Sequence, residues 1–228
     1  MAQLISGLRA HTIRENLERL QEEVAQAVAR RRSGVATPGA QDVEILAATK
    51  YVALEDLPLL AQAGIGLVGE NRAQDLQAKV AACGDLFEWD FIGQLQSRRV
   101  RLIVPHVRLI HSVASESALR ELARHRDQAR PGMRILIEVN LAAEAGKAGI
   151  APRELDSFID RAPVPVAGLM TMPPLSEDPE ASRPWFAALR ELAGEHGLAA
   201  LSMGTSQDYV VAVEEGATIV RIGTSLYH

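Results

Sequence analysis

The stretch Val43–Gly69, VEILAATKYVALEDLPLLAQAGIGLVG, decides the fold. VEILAAT has no helical period and stops within strand length, so it reads as a strand buried on both faces, as strands of parallel sheets are. LEDLPLLAQAG then carries helical spacing and ends at Gly64, a residue suited to a helix C-cap. GLVG reads as the next strand. A strand, a helix and a second strand in this order imply parallel pairing through a right-handed crossover.

Working outward, the same unit recurs. Further aliphatic runs are EWDFIG from Glu88, VRLIHSV from Val107, RILIEVN from Arg134, VAGLMTM from Val166, ALSMG from Ala200 and ATIVRIG from Ala217. Between them lie helix-like segments such as RAQDLQAKVAACG, SESALRELARH, RELDSFIDRA, WFAALRELAGEHG and QDYVVAVEEG. Roughly eight alternations favour closure into a (β/α)8 TIM-type barrel over an open sheet. No linker divides the chain, so residues 1–228 are read as one domain. After the last strand only TSLYH remains, too little for an eighth covering helix. Upstream, Ile13, Leu17, Leu20, Val24 and Ala27 recur at helical steps, ending near RRRSGVATPG, where the basic last turn suits the helix dipole. This extra N-terminal helix is expected to cover the seam between the last and first strands.

Composition narrows the function classes. The chain has 228 residues, 47% of them hydrophobic and 23% charged, which is ordinary globular usage. Net charge is −5, which argues against nucleic acid as the main partner. The basic group Arg98, Arg99 and Arg101 reads as a solvated helix face. The lone Cys83 cannot form an intramolecular disulfide, and the six histidines lack metal-ligand spacing, so no metal is expected. No signal peptide or membrane span is evident, and the expected compartment is the cytoplasm.

In parallel barrels chemistry sits in the loops after the C-terminal ends of the strands. Lys50 follows the first strand directly, where its amine could be partly desolvated and attack an aldehyde; the plain alternative is a lysine reaching to solvent. MGTSQD and RIGTS follow the last two strands, where barrels often hold phosphate with backbone N–H groups and hydroxyls. Ser206 is placed to cap the helix after the seventh strand, and ordinary turn chemistry is the alternative. An amine at the first strand and an anion cradle at the last two describe a site for a phosphorylated carbonyl compound. Arg221 is a permanent charge in the last strand and needs an acceptor, either a ligand's ring nitrogen or a carboxylate such as Glu138 or Glu70. Tyr51 should point away from the axis, because neighbouring strand residues face opposite sides.

Seven segments in register resemble the pyridoxal phosphate (PLP) homeostasis proteins, of the YggS/PROSC type. They are ILAATKYV around Lys50, GENRAQD from Gly69, FIGQLQS from Phe91, NLAAEAGKAGI from Asn140, GLMTM from Gly168, LSMGTSQD from Leu201 and VRIGTSLY from Val220. The resemblance implies a barrel like the PLP domain of alanine racemase, with pyridoxal 5'-phosphate as cofactor. It implies a Schiff base on Lys50, phosphate contacts from Ser206, Gly223 and Thr224, and Arg221 facing the pyridine nitrogen. Asn71 is similar to the Asn of the family's GEN motif, and Met203 to a residue near the ring. Asp90 departs from a usual His, Gln94 from a frequent Pro, and Arg98 and Arg99 from frequent Asn and Lys; the usual short extension beyond His228 is missing. The implied role is non-catalytic PLP buffering or delivery, affecting amino-acid and keto-acid balance, with PLP-dependent client enzymes as partners and a monomer as the state. An arginine opposite the ring nitrogen makes the cofactor a weak electron sink. The alternatives are a PLP-dependent racemase of low activity and a cofactor-free Schiff-base aldolase or phosphosugar isomerase.

Overall fold

The computed structural model describes residues 4–31 and 42–228. In chain order the elements are α1 (Ala10–Ala29), β1 (Glu44–Ala48), α2 (Leu57–Gln62), β2 (Leu67–Glu70), α3 (Ala73–Cys83), β3 (Glu88–Phe91), α4 (Val100–Ile103) and β4 (Leu109–Val113). They continue as α5 (Glu116–His125), β5 (Arg134–Glu138), α6 (Leu155–Asp160), β6 (Val166–Met170), α7 (Arg183–Glu195), β7 (Ala200–Thr205), α8 (Tyr209–Glu214), β8 (Ile219–Ile222) and the single turn α9 (Thr224–Tyr227). Each strand falls inside or beside an aliphatic run read from the sequence. The strands pair in parallel and in order, and β8 closes onto β1 with Glu44 opposite Ile219 and Ala47 opposite Ile222.

Strand alternation produces two cores. Leu46, Leu109, Leu136, Met170 and Ile219 form a small cluster filling the lumen. The larger core holds the alternate positions, such as Ala47, Val68, Ile110, Ile137, Leu169 and Leu201, against the helices. Burying an aliphatic side chain contributes about 1.5–3 kcal/mol, so this outer layer dominates the stability.

The helix α1 covers the seam as expected. It packs on α8, α9 and α2, burying Ile13, Leu17, Leu20, Val24 and Ala27. Asn16 Nδ2 donates to Leu226 O at 3.1 Å, fixing α1 to the closing turn of the barrel. The arginines at its end act differently from expectation. The helix stops at Ala29, Arg30 pairs with Glu214 at 2.7 Å, and Arg31 Nε donates to Val213 O. They therefore tie α1 to α8 rather than complement their own dipole. The loop read at Ser33–Gly39 lies outside the described residues.

At the N-terminal end of the barrel, Arg108 lies just before β4 and joins two strands. Its guanidinium donates to both oxygens of Glu44 at 2.6 and 2.8 Å, and to both oxygens of Asp90 at 2.9 and 3.1 Å. Among the described residues no helix is long and apolar enough to cross a membrane.

Candidate functional site

A pocket of about 370 Å³ opens at the C-terminal ends of β1, β2, β7 and β8. Its lining includes Lys50, Asn71, Ser206, Arg221, Gly223 and Thr224, six residues singled out from the sequence. Met172, Thr205 and Tyr227 join them. The volume lies within the range of about 300–1,000 Å³ usual for small-molecule sites.

Lys50 sits in the turn after β1. That turn is held from below by a buried ion pair. Lys79 Nζ of α3 donates to Thr49 O and to Glu70 Oε2, both at 2.7 Å, and Thr49 Oγ1 donates to the same carboxylate oxygen at 3.1 Å. Glu70 Oε1 accepts from the Asn71 backbone N–H at 2.6 Å, so one carboxylate sets both the Lys50 turn and the start of the next loop. Gly93 lets the β3 loop lie against Asn71, because a Cβ there would stand 2.0 Å from Asn71 O. Asn71 Oδ1 is buried in the pocket wall without a hydrogen-bond partner.

Lys50 itself is exposed, not desolvated, and its Nζ lies 4.7 Å from the centroid of the Tyr51 ring. Tyr51 thus lines the pocket, against the expectation that it points away. The reason is local. β1 ends at Ala48, and Val52 N bonds back to Thr49 O, so residues 49–52 form a turn in which strand alternation no longer holds.

At the opposite end of the pocket Ser206 Oγ accepts from Gly223 N at 3.2 Å and from Ser225 N at 3.4 Å. The hydroxyl therefore serves the turn after β8 and does not cap α8 as expected. The α8 cap position is Asp208, whose Oδ1 accepts from Thr205 N at 2.7 Å. Gly204 has φ +91°, a backbone angle that only glycine adopts without strain, and it turns the chain toward this end.

Arg221 reaches the pocket from the lumen and is buried. Nη1 donates to Ser202 Oγ at 2.6 Å, while Nη2 donates to Thr171 O at 3.2 Å and to Met172 Sδ at 2.8 Å. These are neutral acceptors. Neither Glu70 nor Glu138 bonds to it; Glu70 serves Lys79, and Glu138 acts only through its charge. Burial pulls the guanidinium down to about 10, with Glu138 and Asp208 opposing. Burial also raises the Glu138 carboxyl, against the opposing charges of Arg221 and Lys147. Tyr227 closes the floor, its phenol pushed up by burial and donating to Ala48 O at 3.1 Å.

Met203 requires correction. It is wholly buried in the outer core and does not line the pocket, because Ser202 and Gly204 take the inward positions of β7 and Met203 the outward one. The methionine at the site is Met172, just past β6. Of the other strand-end residues, Ser112 Oγ donates to Gly93 O and Asn140 Nδ2 to Glu144 O, so both brace loops. Gln94 lines a neighbouring depression with Arg98 and Arg99, and Asn71 belongs to both. Among the described residues no group of three or more His, Cys, Asp or Glu is placed to hold a metal ion.

Comparison with known proteins agrees with this architecture. The family model for the alanine racemase N-terminal domain matches residues 9–228. The chain is 39% identical over 224 residues to the pyridoxal phosphate homeostasis protein of Aquifex aeolicus, covering 93% of this chain and 96% of that protein. It is 34% identical to the protein of the same name from Pseudomonas aeruginosa, covering 95% of each. Among solved structures, PipY of Synechococcus elongatus with PLP bound superposes with a TM-score of 0.76 at 30% identity, covering 95% of this chain and all of that one. Alanine racemase from Corynebacterium glutamicum shares the fold, with a TM-score of 0.66 at 16% identity, all of this chain matching 63% of that one.

Proposed function

The chain belongs to the pyridoxal phosphate homeostasis protein family, and we propose that it binds PLP as a Schiff base on Lys50 and serves to buffer or deliver the cofactor. The observation that carries this reading is Arg221. A buried guanidinium with no carboxylate partner costs several kcal/mol unless something in its surroundings compensates it. Three of its five N–H groups have neutral acceptors, and the remaining two are available to a ligand in the same pocket as Lys50. A pyridine nitrogen suits such a donor. Ser206, Gly223 and Thr224 supply the hydroxyls and backbone N–H groups that suit a phosphate, and Asn71 Oδ1 is an acceptor still to be satisfied.

Bound there, PLP supplies an aldehyde that an amine can capture and a ring that withdraws electrons weakly while its nitrogen stays unprotonated. Arg221 favours that state, since arginine donates and does not give up its proton. The residues therefore favour holding over turnover. Racemisation needs an acid and a base on opposite faces of the substrate, and Tyr51 packs on the Lys50 ammonium itself rather than across from it. We read the chain further as one domain acting in the cytoplasm as a monomer, with PLP-dependent enzymes as its clients.

The test is the visible spectrum of the purified protein with and without added PLP, followed by borohydride reduction and peptide mapping. A yellow band whose reduced adduct maps to Lys50 is expected. A protein that takes up no PLP, or carries the adduct on another lysine, overturns the reading.

A further inference from the structure

A line of hydrogen-bonded side chains crosses the lumen beneath the pocket. Arg221 Nη1 donates to Ser202 Oγ at 2.6 Å, Ser202 Oγ meets His111 Nδ1 at 2.8 Å, and His111 Nε2 lies 3.1 Å from Asp90 Oδ2. Asp90 in turn accepts from Arg108 Nε at 2.9 Å. The line draws on β8, β7, β4 and β3. Asp90, His111 and Ser202 are wholly or almost wholly inaccessible to water. Apolar side chains would fill this space at no cost in desolvation, so a polar line here needs a reason.

Counting donors fixes every proton along it. Asp90 already accepts twice from Arg108, and as a carboxylate it can only accept from His111, so Nε2 of His111 carries the hydrogen. Burial holds the imidazole below its ordinary range; Asp90 opposes this, and the charges of Arg221 and Arg108 add to it. Nδ1 is therefore a bare acceptor. The Ser202 O–H must donate to it, which leaves the serine oxygen as acceptor for Arg221. With the imidazole neutral no reversed order exists, because arginine has no lone pair to offer.

We propose that Ser202, His111 and Asp90 are positioning residues for Arg221, committing the Ser202 hydrogen to His111 so that the serine oxygen faces Arg221 as an acceptor and the guanidinium is held with its free N–H groups toward the bound cofactor. The inference rests on the reading that Arg221 faces the pyridine nitrogen. Asp90 is neutralised by Arg108, so it sets the polarity of the line without cancelling the charge on Arg221. A serine next to Arg221 without the line could rotate and present its hydrogen instead, and the arginine would lose its anchor.

Two measurements test this. The first uses the full chain without PLP: long-range proton–nitrogen NMR of the histidine rings at pH 7.5. His111 is expected as the Nε2–H tautomer with an acceptor shift at Nδ1. An Nδ1–H tautomer or an imidazolium overturns the proposal. The second compares PLP affinity and the visible band in Ser202→Ala, Asp90→Asn and Arg221→Met, each first checked for folding by circular dichroism. Loss of one anchoring hydrogen bond should weaken PLP by about three- to tenfold in Ser202→Ala, with a shifted band, and by less in Asp90→Asn. If Arg221→Met changes affinity and band while Ser202→Ala and Asp90→Asn match the unmodified protein, the positioning role is wrong and the Arg221 reading stands. If Arg221→Met also leaves both unchanged, the Arg221 reading itself falls.

Discussion

Two arginines reach into the barrel, and they are treated in opposite ways. Arg108, at the N-terminal end, is held by four hydrogen bonds to the carboxylates of Glu44 and Asp90. Burial alone would pull its guanidinium down, but those bonds raise it above the ordinary arginine range. Arg221, at the C-terminal end, has a hydroxyl, a carbonyl and a thioether, and burial lowers it to about 10. A cation fully neutralised by its own protein closes a structure. One left with neutral partners and spare N–H groups is prepared for a ligand, and the fold carries its cost.

The contrast is sharpest in stability. Arg108→Met strips the counter-ion from the buried Asp90 and should destabilise the unliganded protein by about 3 kcal/mol or more in urea unfolding. Arg221→Met removes a buried charge that has no anionic partner and should leave the same quantity unchanged or raise it, by up to about 4 kcal/mol. Equal losses in the two variants would erase the distinction. PLP affinity should respond the other way, falling by about ten- to a hundredfold in Arg221→Met, the scale of a charge-assisted hydrogen bond, as measured by equilibrium titration of the visible band.

The histidine between the two arginines gives a smaller, pH-dependent effect. Its folded-state value lies below the unfolded value of 6.5, so on acidification the unfolded chain takes up a proton before the folded one does. Stability should therefore fall as pH drops below that value, with a slope of up to about 1.4 kcal/mol per pH unit, until the folded form also protonates. His111→Gln should flatten this part of the urea-unfolding profile between pH 7.5 and 5.5. An unchanged slope would mean that another group carries it. Smallest of all is the effect at Tyr51, whose ring and not its hydroxyl meets Lys50. Tyr51→Phe should leave PLP affinity unchanged, and Tyr51→Ala should change it by no more than about two- to fivefold, since an exposed cation–π contact contributes only about 0.5–1 kcal/mol.

Much of this architecture is written in local periodicity. The change between aliphatic runs and helical spacing marks all eight strands, the apolar stripe of α1 marks a helix that must be covered, and a lysine or a Gly-Thr-Ser cluster just past a strand marks the working end of a parallel barrel. Lys50, Asn71, Ser206, Arg221, Gly223 and Thr224 were legible for that reason, and the structure gathers them around one pocket. Tyr51 departs from the reading because alternation stops where β1 ends, and Met203, set near the ring by resemblance alone, takes the outward side of β7. The line from Arg221 to Asp90 could not be read at all. Its links join residues 19, 91 and 21 positions apart, and whether they meet depends on strand tilt, on the shift of register between Ser202 and Thr205, and on the bulge between Ile110 and Val113. Periodicity states which side chains face the lumen. Only closure of the barrel decides which of them touch, because that is where strands far apart in the chain are brought to one height.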